Sequence, residues 1–155
     1  MKYIGVDPGL RSGAAGAIDH HGRFIGCFDI PSTDMKRIDA VRTSEELSRL
    51  VAGDDAQFVV ELVNPMPGQG SVSTGGFMRA AGSIEAIVAL KRMTTTLVPP
   101  RVWKKAMGLT SEKQDSLEMA RKLWPNAPLS RKKDNNRAEA LLLAEYIRRM
   151  EYVIL

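Results

Sequence analysis

A chain of 155 residues, 44% hydrophobic and 26% charged, has the size and composition of one soluble globular domain, residues 1–155. No apolar run approaches the ~20 residues of a bilayer span, nothing resembling a signal peptide opens the chain, and a single cysteine, Cys27, excludes an intrachain disulfide framework; a cytoplasmic location is expected. The net charge of +4 hides an asymmetry, because residues 1–90 hold 8 Lys/Arg against 11 Asp/Glu and residues 91–155 hold 14 against 7. A basic half suits a polyanion partner, although a solvated helix surface accounts for it equally well.

In chain order, Lys2–Val6 is a short apolar run that predicts a buried strand. Gly13–Ile18 and Arg23–Phe28 predict two more, joined by the turn His20-His21-Gly22, so the sheet opens as an antiparallel meander. Cys27 falls in the third strand and is expected to be a buried, inert thiol. Ser44–Val51 has helical spacing, with Leu47, Leu50 and Val51 on one face and Thr43 or Ser44 as cap. Gln57–Val63 predicts a fourth strand. The Gly/Pro/Ser-rich stretch Asn64–Gly76 predicts a long loop, and Phe77–Leu90 returns to helical spacing. Thr94–Val98 is a β-branched fifth strand closed by Pro99-Pro100. Arg101 to Arg149 predicts helices broken at Gly108 and at Pro125–Pro128, with Trp103 buried beside Met107. The result is an α/β fold whose five-stranded mixed sheet is flanked by helices.

Four acids are placed where solvent decoration explains them poorly. Asp7 ends the apolar run Tyr3-Ile4-Gly5-Val6 and Glu61 the run Phe58-Val59-Val60; Asp134 and Glu139 lie at the start of the apolar segment Ala138 to Tyr146. If they converge they repel one another unless a cation lies between them, and hard cations on carboxylates commonly handle phosphates. Each has a plainer alternative. Asp7 could accept hydrogen bonds from the turn Pro8-Gly9-Leu10, Glu61 could be a solvated strand end, and Glu139 could pair with Arg137 or Lys133. His20 and His21 read as exposed, without a metal role.

The order of elements and three sequence blocks together resemble the RuvC family of Holliday-junction resolvases, within the RNase H-like nuclease superfamily. The blocks are Ile4-Gly5-Val6-Asp7-Pro8-Gly9 with Ser12-Gly13, then Val59-Val60-Glu61, then Arg137-Ala138-Glu139-Ala140-Leu141-Leu142-Leu143-Ala144. Gly82, Val98-Pro99, Trp103-Lys104-Lys105 and Lys113 also fit, and the likeness spans roughly residues 2–147, nearest to phage and prophage members. Asp-Pro-Gly alone is a weak signal; the three blocks in order are fairly specific.

The resemblance implies two Mg²⁺ ions per active site, with Mn²⁺ able to substitute: Asp7 bridging both, Glu61 on one and Glu139 on the other. It implies hydrolysis of the scissile phosphodiester to a 5′-phosphate and a 3′-hydroxyl without a covalent enzyme intermediate. It further implies four-way or branched DNA as substrate, symmetric nicking, a homodimer through a helix such as Phe77–Leu90, and a bacterial or phage-infected host cell. Lys104, Lys105, Lys113, Lys132 and Lys133 become candidates for phosphate contacts, and the loop, with Met66 or Phe77, a candidate for the branch point. Family members place a further carboxylate three or four residues before the last acid, where this chain has Asn136 and Asn135. Asp134 therefore substitutes, or three carboxylates suffice, or an acid has been exchanged for Asn135, which would suit an inactive junction-binding variant. A related nuclease acting on structured RNA is the second enzyme alternative. An actin-like phosphate-binding domain would need a second lobe for which 155 residues leave no room.

Overall fold

The computed structural model describes residues 1–34, 37–62, 64, 65, 68 and 70–153. Its central sheet is built from β1 (Lys2–Asp7), β2 (Ala14–Asp19), β3 (Phe24–Asp29), β6 (Ala56–Glu61) and β7 (Thr94–Val98), in the order β3-β2-β1-β6-β7. The β1–β2 and β2–β3 pairs are antiparallel, and β1–β6 and β6–β7 are parallel. The expected α/β architecture with three antiparallel strands first is the observed one. A two-stranded hairpin, β4 (Ser32–Thr33) with β5 (Arg37–Ile38), was not expected; pairs this short leave no alternation to detect.

Helices cover both faces. Period-2 alternation along β1 sends Ile4 and Val6 to one face and Tyr3 to the other. Ile4, Val6, Phe58 and Val60 pack against α1 (Ala40–Val51) and α2 (Ser71–Ala89) with Leu47, Ile84 and Val88. Tyr3, Val59 and Val98 pack against α3 (Pro100–Ala106), α4 (Lys113–Leu123) and α5 (Asn135–Val153). In α5, Ala138 and every residue from Ala140 to Ala144 are fully buried, so this helix lies across β1 and β2. Burying Leu141, Leu142 and Leu143 contributes roughly 2 kcal/mol each relative to exposure.

Gly5 permits that close packing. A Cβ at Gly5 would fall on the carbonyl oxygen of Ala140 and come within 2.8 Å of the Ala144 amide nitrogen and 2.9 Å of Leu143 Cβ. A glycine in mid-strand is thus the condition for α5, and with it Glu139, to approach the end of β1.

Two helix starts differ from expectation. α1 begins at Ala40, capped by Asp39, whose carboxylate accepts from the Arg42 amide at 3.1 Å; Thr43 lies inside the helix, and its buried hydroxyl has no partner among the described residues. α2 begins at Ser71 rather than Phe77. Gly75 and Gly76 mask its first two turns, because glycine disfavours a helix interior by about 1 kcal/mol per residue. The loop is correspondingly shorter, and Met66 is outside the described residues. No helix among them is long and apolar enough to cross a membrane. Cys27 is half-buried, and burial pushes its thiol up to about 11, in keeping with an unreactive side chain.

Candidate functional site

Parallel pairing of β1 with β6 brings their C-terminal residues Asp7 and Glu61 to the same end of the sheet, and α5 carries Glu139 towards them. The three acids act on one another. Burial is the main force raising the Asp7 carboxyl, to about 8, and the charges of Glu61 and then Glu139 raise it further; Lys113 and a hydrogen bond from the Gly9 amide oppose them. Glu61 is also raised, first by burial and then by Glu139, against a hydrogen bond from Trp103 and the charges of Lys104 and Lys113. Mutual repulsion of this kind is what a bound cation relieves.

Two adjacent residues of α3 hold two of these acids. Trp103 Nε1 donates to Glu61 Oε2 at 2.8 Å, and Lys104 Nζ donates to Glu139 Oε1 at 2.7 Å. Ser116 of α4 donates to the same Glu139 oxygen at 3.2 Å. Glu139 is 6% exposed, Ser116 0% and Trp103 0%, so these contacts are shielded from water and from salt. Lys104 also lies 5.4 Å from the Trp103 ring centre. Trp103 is buried near Met107 as expected, but its role on Glu61 was not foreseen, and neither was Ser116. Indole N–H and hydroxyl groups carry no periodic signal, and only the approach of α3 and α4 to the sheet end gives them an acceptor.

Asp134 has partners other than those of Asp7, Glu61 and Glu139. It is 1% exposed and belongs to the 3-10 turn Lys132–Asp134. Its Oδ2 accepts from the Arg131 amide at 2.7 Å and its Oδ1 from Arg131 Nε at 2.8 Å. Burial alone would raise this carboxyl, but Arg131 and then Arg137 hold it below the usual range. Those arginines also bind Asp29 at the end of β3, two strands from β1. In that turn Asp134 closes a capping box with Arg131, and its charge is not among the main ones acting on Asp7.

Asn135 opens α5 one helical turn before Glu139, on the same face. It is 9% exposed, and its Nδ2 donates to Asn136 Oδ1 at 3.1 Å. The positions three and four residues before Glu139 are thus both amides. Of the lysines, Lys104 is inside the site, Lys105 is exposed on the outer side of α3, and Lys113 acts on Asp7 and Glu61 from the start of α4. Lys132 and Lys133 are exposed and line, with Lys113 and Asn135, a concavity of about 590 Å³. A larger groove, about 950 Å³, is lined by Leu10, Arg11, Ser12, Phe77 and Arg79 among others. Phe77 is half-buried there. Gly9 is small because Gly13's amide nitrogen would be 3.0 Å from its Cβ. His20 and His21 are exposed in their turn, ring centres 3.8 Å apart.

Asp7 and Glu61, each raised in part by the charge of Glu139, form with it a donor set for a hard cation. As they stand, no three or more His, Cys, Asp or Glu among the described residues are drawn together tightly enough to hold a metal ion; Glu139 is engaged by Lys104 and Ser116.

No family model and no curated protein matches the sequence. Solved structures share its fold. The RuvC of T. thermophilus in complex with Holliday junction substrate is 15% identical, with a TM-score of 0.71, over 97% of this chain and 96% of that one. The Thermus thermophilus RuvC structure is 17% identical, with a TM-score of 0.68, over 97% of each chain. At these identities the likeness is one of fold: the mixed five-stranded sheet with helices is that of the RuvC and RNase H-like proteins.

Proposed function

We propose that the chain is a Mg²⁺-dependent, structure-selective endodeoxyribonuclease that resolves four-way DNA junctions by paired nicks. The observation that carries this is the convergence of Asp7, Glu61 and Glu139 at one end of a RuvC-like sheet, where Asp7 is pushed up to about 8. Asp7, between the other two in charge, would hold two Mg²⁺ ions, with Glu61 on one and Glu139 on the other. Once bound, the ions would supply charge stabilisation for the in-line displacement at phosphorus. Trp103 fixes Glu61, and Ser116 fixes Glu139; neither then has to be ordered during the reaction. Lys104 neutralises Glu139 in the metal-free protein and is positioned to meet the scissile phosphate when it moves off. Lys105, Lys113, Lys132 and Lys133 position the flanking backbone.

A homodimer would supply two such sites, one for each nicked strand. The face of α2 bearing Met78, Gly82, Ala86 and Ala89 is exposed and is the proposed contact. The reading is tested with a labelled four-way junction in Mg²⁺, Mn²⁺, Ca²⁺ and EDTA. Symmetric nicks with Mg²⁺ or Mn²⁺ alone, lost in Asp7→Asn, are expected; cutting in EDTA, or equal cutting of linear duplex, would overturn it.

Asn135 and Asn136 favour one alternative, a junction-binding protein with little or no cleavage, because an amide oxygen holds Mg²⁺ less well than a carboxylate. Tight junction binding without nicks, and nicking restored by Asn135→Asp or Asn136→Asp, would establish it. Preference for structured RNA over junction DNA in the same assay would move the substrate to RNA.

A further inference from the structure

Beside the carboxylates lies the concavity of about 590 Å³, in which three ammonium groups from two segments, Lys113, Lys132 and Lys133, face one carboxylate, Glu112. The first turn of the 11-residue helix α4 opens into it, and its N-cap residue, Glu112, makes no side-chain capping bond. Uncapped first-turn amides and ammonium groups are both donors to an anion. The hydroxyl of Ser111 lies on the same rim. Asn135, 9% exposed, forms part of the lining. Its Nδ2 gives one hydrogen to Asn136 and keeps a second. Every group but Glu112 can therefore donate, and three are cationic.

The concavity is tied to the carboxylates at two points. The charge of Lys113 reaches Asp7 and Glu61. Asn135 precedes Glu139 by four residues of α5, about 6 Å along the axis. Strand charges recur about every 3.4 Å of duplex axis, so the two places are within a nucleotide or two on one strand.

We propose that this concavity seats a single backbone phosphate, a nucleotide or two from the scissile one, and so fixes the position of the cut. The choice of a nucleic-acid phosphate rests on the proposed nuclease function; the affinity for a phosphate group does not. One seat differs measurably from a scatter of surface lysines. Each phosphate neutralised adds about 0.9 to the slope of log affinity against log salt. Lysines sharing one phosphate should then lose that increment once, whereas lysines on separate phosphates lose it additively.

The test uses the full chain in Ca²⁺, with Lys132→Ala, Lys133→Ala and the double variant, binding a four-way junction and a short single strand across a salt series. Each single variant leaves two ammonium groups on the phosphate and should move the slope little, whereas the double variant should weaken binding roughly tenfold and lower the slope by about 0.9 in all. A slope lowered by about 0.9 in each single variant and by about twice that in the double, or left unchanged in the double, overturns the proposal. Amide resonances of Ser111 to Gln114 should shift on adding inorganic phosphate, and the single strand should displace it. Phosphate that binds there but resists displacement identifies a free-phosphate site and also overturns the proposal. In Mg²⁺, Lys132→Ala/Lys133→Ala should spread the nicks over neighbouring positions. Wild-type protein that shows the shared slope but never nicks DNA would leave the seat standing and remove the nuclease reading.

Discussion

Asp7 carries a consequence for stability that can be signed. Its carboxyl titrates near 8 in the folded protein against 3.8 without the fold, so between those values the folded state holds a proton that the unfolded chain has released. Without a cation, stability contributed here falls as pH rises from about 4 to about 8, and Glu61 acts in the same direction. Asp7→Asn should therefore be more stable than wild type at pH 8 in EDTA and indistinguishable below about pH 4; equal urea midpoints throughout would remove the repulsion argument. At Glu139, Lys104→Met takes away the ammonium 2.7 Å from the carboxylate. Metal-free stability should drop by about 3 kcal/mol, while affinity for Mn²⁺, measured by calorimetry, should rise several-fold because the competing cation is gone. A fall in that affinity would instead make Lys104 a partner of the bound ion. Trp103→Phe keeps most of the packing and removes the 2.8 Å bond to Glu61; about 1.5–3 kcal/mol of stability should be lost, read from urea unfolding.

Among the elements, α5 decides whether the acids meet. Its buried run Ala138 to Ala144 fits against β1 only because Gly5 has no side chain. Gly5→Ala must push the helix outward, and the expected cost is about 3 kcal/mol. Because Glu139 precedes the contacted Ala140, cation binding should weaken with it, whereas Gly82→Ala, where a Cβ meets nothing within 4 Å, should stabilise the metal-free chain slightly. Paired urea and calorimetric titrations of the two variants test this. The five strands of the central sheet and α5 were legible in sequence because their apolar or β-branched runs are continuous. The start of α2 was not, since two glycines interrupt its pattern, and the cap of α1 was assigned four or five residues late because Asp39, Thr43 and Ser44 are all capable of capping.

For the whole molecule, the basic half became a located feature: Lys104 and Lys113 act on the carboxylates, and Lys113, Lys132 and Lys133, from two segments, line one concavity. If α2 joins two copies, Ala86→Glu should yield a monomer in sedimentation, with junction affinity reduced and single-strand affinity retained; an unchanged mass would exclude that face. The sequence by itself determined the order of strands and helices and placed Asp7 and Glu61 at the ends of apolar runs, because these depend on periodicity and on short motifs. Tertiary structure alone decided which acids share a site. Asp134 and Glu139 are five residues apart, yet a 3-10 turn ties one to Arg131 while the helix carries the other to Lys104 and Ser116. Proximity along the chain says little about direction, and direction determines which charges feel one another.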